Sequence, residues 1–410
     1  MTFKFKISAN WKLTKFDDLV LSERGAIRIG PFGSALKKSE LSENGIQVLG
    51  IDHITPNKLI WQKPKFIPHK KYLELVQYTV SAGDILITNM GTVGRACFVP
   101  EGFPLAIISS HLIKATVDLQ KCLPQFLSWT LNYCPFVVNQ IKSKSQGAIM
   151  AGFNTSLLKS LMIPLPTVTE QEYLVEVFEK ADHLLEKHRE TVKLSEDLLR
   201  SVFLDMFGDP ITNSKGWPKT RLGDICQIQL GKMLSEKSKT GINSFPYLRN
   251  ANVQWRTIHL HDLFEMDFSE AEREKFSLRN GDLLVCEGGE VGKCAIWHGE
   301  MRNCYFQKAL HRLRPELTKL TPEYLQELFF EIAQRNGFLP HSSQVTIAHL
   351  TKEKLTEYPI PTPPIAVQKA FTETYQKILV LRGKEKVALK ESENLFNSLL
   401  QRAFQGELAF

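Results

Sequence analysis

Between Leu174 and Met206 the apolar or small residues are Leu174, Phe178, Ala181, Leu185, His188, Val192, Ser195, Leu199, Val202 and Met206, in steps that alternate between four and three. That is the period of a helix whose seam faces another helix, rather than of a helix lying on a broad core. The pattern predicts one continuous helix from Thr169 to Met206, about 57 Å long at ~1.5 Å per residue. A second stretch, offset by 197, places Tyr375, Ile378, Arg382, Glu385, Leu389, Ser392, Phe396, Leu399 and Ala403 on the corresponding seam, with apolar ends and a weaker middle. A one-sided apolar stripe needs a partner, and the obvious partner of each stretch is the other.

Elsewhere the pattern is of short apolar runs bounded by Gly, Pro and Asn, such as Gln47 to Ile51 and Asp84 to Thr88, which read as strands. These runs recur. Tyr78 to Val99 (YTVSAGDILITNMGTVGRACFV) aligns without a gap on Phe276 to Trp297 (FSLRNGDLLVCEGGEVGKCAIW) at an offset of 198. Gly83-Asp84 falls on Gly281-Asp282, Gly91 on Gly289, and Val93-Gly94 on Val291-Gly292. The likeness extends to WKLTKFDDL from Trp11 against WPKTRLGDI from Trp217, to LPQFL from Leu123 against TPEYL from Thr321, and to IPLPT from Ile163 against YPIPT from Tyr358. Each Pro-rich strip runs into a long helix, with Gln171 and Gln368 near the two starts. The order is globular unit (1–165), helix (166–207), globular unit (208–360), helix (361–410). The expected class is α+β: two repeated mixed α/β units, each a twisted mixed sheet with short flanking helices. An antiparallel coiled coil of the two long helices would separate them in a pseudo-twofold arrangement.

Charge sharpens this division. The chain carries a net +7, but residues 1–165 carry +9 and residues 166–207 carry −5. A basic unit beside an acidic connector points to a polyanionic partner. No apolar run approaches the roughly 20 residues that span a bilayer, and the start lacks a signal-peptide pattern, which suggests a cytoplasmic protein. The seven cysteines contain no C-x-x-C pair and read as reduced core thiols; Cys286, Cys294, Cys304 and His298 match no standard zinc spacing.

No catalytic residue is assigned. GGEVGKC from Gly288 resembles a phosphate-binding loop but fails on spacing. Asp282, Glu287, Glu290 and Lys293 form a tempting metal-nuclease set, yet the first repeat has Asp84, Asn89, Thr92 and Arg95 there, sharing only the aspartate. That aspartate, after Gly, is more economically a turn residue.

Basic and polar residues in predicted loops are candidates for DNA contact. In the first unit they are Arg24, Arg28, Lys37, Lys38, His53, Lys63, Lys65, Lys142, Lys144 and Gln146. In the second they are Lys232, Lys237, Lys239, Arg249, Asn250, Asn252, Arg256, Ser343 and Gln344. Lys and Arg neutralise phosphates, while Arg, Asn and Gln pair bidentately with base edges. LGIDH from Leu49 and LRNAN from Leu248 keep a frame but change polar groups, as two units reading different sequences would. An enzyme acting on DNA alone and a non-catalytic nucleic-acid scaffold are the competing readings.

The duplicated GD-I/L-L turn, the Pro-rich strips leading to Gln171 and Gln368, the long helix after each, and the closing SLLQRAFQGEL from Ser398 together resemble the S subunit of type I restriction-modification enzymes. The resemblance covers essentially the whole chain. It departs at the second helix start, where Ala366-Val367-Gln368 lacks the Glu of Glu170-Gln171. It implies that each globular unit is a target-recognition domain for one half of a bipartite, asymmetric double-stranded DNA site. The helices would be the spacer and would dock two modification subunits that methylate adenine, and restriction subunits would join to cleave. S-adenosylmethionine, ATP and magnesium would then bind those partners, and no cofactor would bind this chain.

Overall fold

The computed structural model describes residues 8, 10–146, 153–238, 240–338 and 350–408; for Lys144, Ser145, Gln146 and Lys237 only the backbone is described. The chain forms two compact units, Met1–Arg189 with Ala388–Phe410, and Glu190–Val387. Among the described residues no helix is long and apolar enough to cross a membrane.

In the first unit Asp84–Thr88 is buried at every position. It is an inner strand of a four-stranded antiparallel sheet ordered Ile27–Ile29, Leu112–Thr116, Asp84–Thr88, Ala96–Phe98. Because side chains alternate across a strand, the sheet divides two cores. Ile85 and Ile87 join Phe126, Trp129 and the ends of the long helices, whereas Leu86 joins Leu49, Ile54 and Ile108 on the other face. A continuous apolar run is therefore what this position requires. Behind the second face lies a three-stranded sheet of Phe66–Ile67, Ile46–Leu49 and Ala106–Ile108, in which the last two run parallel. The expected single mixed sheet is thus two sheets, and the parallel pair belongs to the smaller one.

The second unit repeats this plan. Its four-stranded sheet is Cys226–Leu230, Leu310–Pro315, Asp282–Cys286, Cys294–Trp297, and its three-stranded sheet is Phe264–Asp267, Ser244–Leu248, Tyr305–Phe306. Leu283 and Val285 face one core, Leu284 and Cys286 the other. Each unit is closed by its own ends: Lys12–Lys15 pairs with Met162–Leu165, and Lys219–Arg221 with Pro359–Pro361.

The long helices are Val168–Phe207 and Ile365–Phe404. Gln171 and Gln368, both fully buried, explain why each begins where it does. The Gln171 amide oxygen accepts from the Leu123 N–H (2.8 Å) and its nitrogen donates to the carbonyls of Lys121 and Pro166. Gln368 does the same with the Thr321 N–H (2.9 Å) and the carbonyls of Lys319 and Pro363. One side chain thereby joins the helix start to the loop that launches the short helix Pro124–Tyr133 or Pro322–Gln334.

Within the first unit the two long helices run antiparallel, with Phe178 against Phe404 (ring centroids 5.6 Å) and Arg189 against Glu393 (3.5 Å). Within the second unit they do likewise, with Phe203 against Phe371 (5.6 Å) and Arg382 against Glu196 (2.6 Å). Of the seam residues, Leu174, Phe178, Leu185, Leu199, Ile378 and Phe396 are buried, and Ala181, Val192, Leu389 and Leu399 are half-buried. Beyond Leu199 the buried positions become Phe203 and Phe207, while Val202 and Met206 are half-buried. The larger aromatic rings claim the core of Tyr324 and Phe371.

Candidate nucleic-acid interface

In the first unit a cavity of about 350 Å³ opens between the loop from Pro31 to Leu41, the turn Gly50 to His53, and Ser109 to His111. Lys37, Lys38 and Lys65 line it and are exposed. None of the three has an ion-pair partner among the described residues, whereas Lys58, Lys71, Lys114, Lys121 and Lys159 of this unit are all paired with carboxylates. His53 is 2% exposed. Its Nδ1 accepts the Gly50 N–H at 3.0 Å, and its Nε2 has no partner. Burial holds its pKa below the ordinary imidazole value, so the ring is neutral and a donor at Nε2.

The loop carrying the lysines is tightly rooted. A Cβ on Gly30 would lie 2.0 Å from the Ser109 carbonyl oxygen, and one on Gly231 would lie 2.2 Å from that of Gln307. Only glycine fits such an approach. Just past these glycines stand Phe32 and Met233, exposed to 61% and 62%. Neither was singled out from sequence, because a lone apolar residue in a loop carries no signal until the repeat is aligned. Ser109, Ser110 and His111 were missed for a similar reason: they reach the cavity from a turn distant in sequence from its other lining residues.

Other candidates lie elsewhere in the first unit. Arg24 and Lys63 are exposed, and Arg28 lies over the Tyr78 ring at 5.8 Å. Lys142 lines a separate groove beside Val93, Gly94 and Arg95. That turn also needs its glycine: Gly94 has φ +83° and packs on Ile141, as Gly292, φ +81°, packs on Phe338. Lys144 and Gln146 end the helix Pro135–Gln146.

In the second unit most candidates are occupied by the protein itself. Lys232 binds the Glu272 carboxylate and the Asp267 carbonyl, both at 2.6 Å. Arg249 binds Asp262 and stacks on Phe264 at 3.6 Å. Asn250 donates to the Gly288 carbonyl. Asn252 is 3% exposed, and its Oδ1 accepts the Arg249 N–H at 2.9 Å, in the place that His53 Nδ1 takes in the first unit. Arg256 makes a two-pronged ion pair with Glu327 (2.6 and 2.5 Å) and lies 4.0 Å from the Phe330 ring centroid. Its backbone has φ +61°, as the equivalent Asn57 has φ +64°, so this left-handed position belongs to the repeated turn. Lys239, Ser343 and Gln344 lie outside the described residues, as does the Lys237 side chain.

The tempting nuclease set is not assembled. Asp282 is buried and bound by both prongs of Arg314 (2.7 Å each), and Glu290 accepts from Trp255. Asp84 likewise serves its own unit, accepting from Thr116 and the Ser81 N–H. Among the described residues no group of three His, Cys, Asp or Glu is placed to hold a metal. All seven cysteines are unbridged and buried, and Cys294 sits in a different core from Cys286 and Cys304.

Residues 29–194 and 214–391 each match the family described as Type I restriction modification DNA specificity domain. A putative type I restriction enzyme MjaX specificity subunit of Methanocaldococcus jannaschii is 18% identical over 414 residues, covering 96% of this chain and 93% of that protein. The type I restriction enzyme MjaVIII specificity subunit of the same organism is 23% identical over 206 residues, 48% of this chain and 46% of that protein. Among solved structures, a chain from work on complex assembly and conformational transition of the type I R-M system shares the fold. It has a TM-score of 0.54 and 19% identity, covering 98% of this chain and 100% of that one.

Proposed function

The chain belongs to the family of type I restriction-modification DNA specificity domains, and from that premise we propose that each unit reads one half of a bipartite, asymmetric duplex site. The observation that carries this reading is a shared frame with exchanged polar groups. Every sheet of one unit has its counterpart in the other, yet Gly50 becomes Arg249, Ser109 becomes Gln307 and His111 becomes Ala309. Phosphate contacts position such a protein and base-edge contacts specify the sequence. The first unit supplies exposed, unpaired lysines for the former.

The antiparallel course of the long helices within each unit supports their role as a coiled-coil spacer between half-sites. Half-sites on one face of B-DNA lie about 34–36 Å apart, centre to centre, per helical turn. The chain is a specificity subunit without catalytic groups of its own; methyl transfer from S-adenosylmethionine, and ATP- and magnesium-dependent cleavage, fall to partner subunits. Leu119 and Leu317 occupy equivalent turns and are exposed to 61% and 62%. Two identical apolar contacts, one per repeat, suit two copies of a modification subunit. Such an assembly acts on cellular DNA in the cytoplasm.

Replacing residues 1–165 by the corresponding unit of another specificity subunit tests the division of labour. The hybrid, assembled with its modification subunit, is expected to methylate a site changed in one half only. A change in both halves, or in neither, contradicts it.

A further inference from the structure

We propose that the cavity of the first unit is a phosphate site, which takes one backbone phosphodiester of the duplex and anchors the complex without reading sequence. The proposal rests on the DNA-reading function above and assigns this site one role within it. Apart from Asp52, exposed and the one carboxylate among the lining residues, the charged side chains there are the ammonium groups of Lys37, Lys38 and Lys65. Two buried polar atoms of the lining residues, His53 Nε2 and Ser109 Oγ, have no hydrogen-bond partner. Leaving a buried donor or acceptor unpaired is unfavourable, and such groups are satisfied when a polar ligand is bound. With Nδ1 already accepting from the Gly50 N–H, the His53 ring proton resides on Nε2. Ammonium groups, an imidazole N–H and a hydroxyl make a set dominated by donors. An acceptor-only phosphodiester satisfies it, whereas a base edge in the major groove asks for the planar donor-acceptor forks of Asn, Gln or Arg.

Among the described residues of the second unit, the equivalent positions are bound by their own protein. Where the first has Gly50, it has Arg249, bound to Asp262; where the first has Pro31, it has Lys232, bound to Glu272. Asn252, in place of His53, gives its Nδ2 to the His259 carbonyl at 3.1 Å. The two halves of the site are therefore held unequally, and the first unit carries more of the salt-dependent affinity.

The repeat itself supplies the test variant. Asn252 shows that asparagine caps this turn, so His53→Asn keeps the fold and removes the Nε2 donor; an unchanged melting temperature checks that it does. Binding of the full chain, assembled with its modification subunit, is measured against salt concentration for the parent, His53→Asn and Lys65→Gln. Two duplexes are used, one carrying the split methylation motif and one scrambled.

His53→Asn is expected to weaken both duplexes by the same factor, about tenfold for a hydrogen bond to a charged group. Lys65→Gln should lower the slope of log K against log salt by about one. A neutral methylphosphonate at one position of the first half-site should erase the difference between His53→Asn and the parent. Relaxed preference at a single base pair with an unchanged salt slope would show a base reader and overturn the proposal, as would unchanged affinity of both variants. If the parent recognises no split motif at all, the DNA-reading function itself fails instead.

Discussion

Asp84 and Asp282 occupy the same place in the two repeats and share a fate that their sequence context announces. A Gly-Asp turn launching a buried strand is readable from sequence, and the carboxylates do close that turn, on the N–H groups of Ser81 and Arg279. Their other partners differ: Thr116 and one longer ammonium contact, Lys114 at 3.4 Å, for Asp84, and both prongs of the Arg314 guanidinium, at 2.7 Å each, for Asp282. Both aspartates are thus ion-paired, but a two-pronged guanidinium pair with two short charge-assisted hydrogen bonds is stronger than a single long ammonium contact. Urea unfolding should therefore find Asp282→Ala more destabilised than Asp84→Ala; the reverse order would assign the aspartates a different role. The thiols give a second expectation. Burial pushes Cys134 up to about 11 and Cys286 and Cys304 up to about 12. At pH 8 the native protein should resist iodoacetamide at all seven cysteines and react only when unfolded, and mass spectrometry reads this directly. What sequence could not supply at this scale is occupancy. Arg256 and Lys65 look alike as basic loop residues, but Glu327, which occupies Arg256, lies 71 positions away. A residue's freedom to touch DNA depends on such distant partners, and only the fold brings them into view.

At the scale of elements the repeat carried most of the information. It located both long helices and the inner strand of each main sheet, because each depends on a local period or a duplicated turn, whereas the repeated stretches at the ends of each unit were not readable as paired strands. The division into two sheets was not legible, since short apolar runs state that a strand is buried but not which strand it pairs with. The weak middle of the second seam also has its reason in the structure, where Arg382 is buried and paired with Glu196. The 4-3 spacing implies a further prediction. Adding or deleting one heptad at matched points in both long helices keeps the seam in register. The methylated half-sites should then keep their sequences and change their separation. Altered half-site sequences at constant separation would assign sequence reading to the helices.

For the whole molecule, function was legible because it lies in organisation rather than in a catalytic constellation. Two units with one frame and different polar surfaces, joined by seam-bearing helices, describe a reader of two different half-sites. The individual contacts were less legible: of the residues proposed from sequence, those around the first unit's cavity converge, whereas several in the second unit bind their own protein. Reading of a split site is measured by co-purifying the chain with a candidate modification subunit and mapping adenine methylation over a random DNA library. Two units that read different half-sites should yield a two-part motif with a fixed gap, absent when this chain is omitted. Methylation with a single contiguous motif, or a motif that persists without the chain, would contradict it.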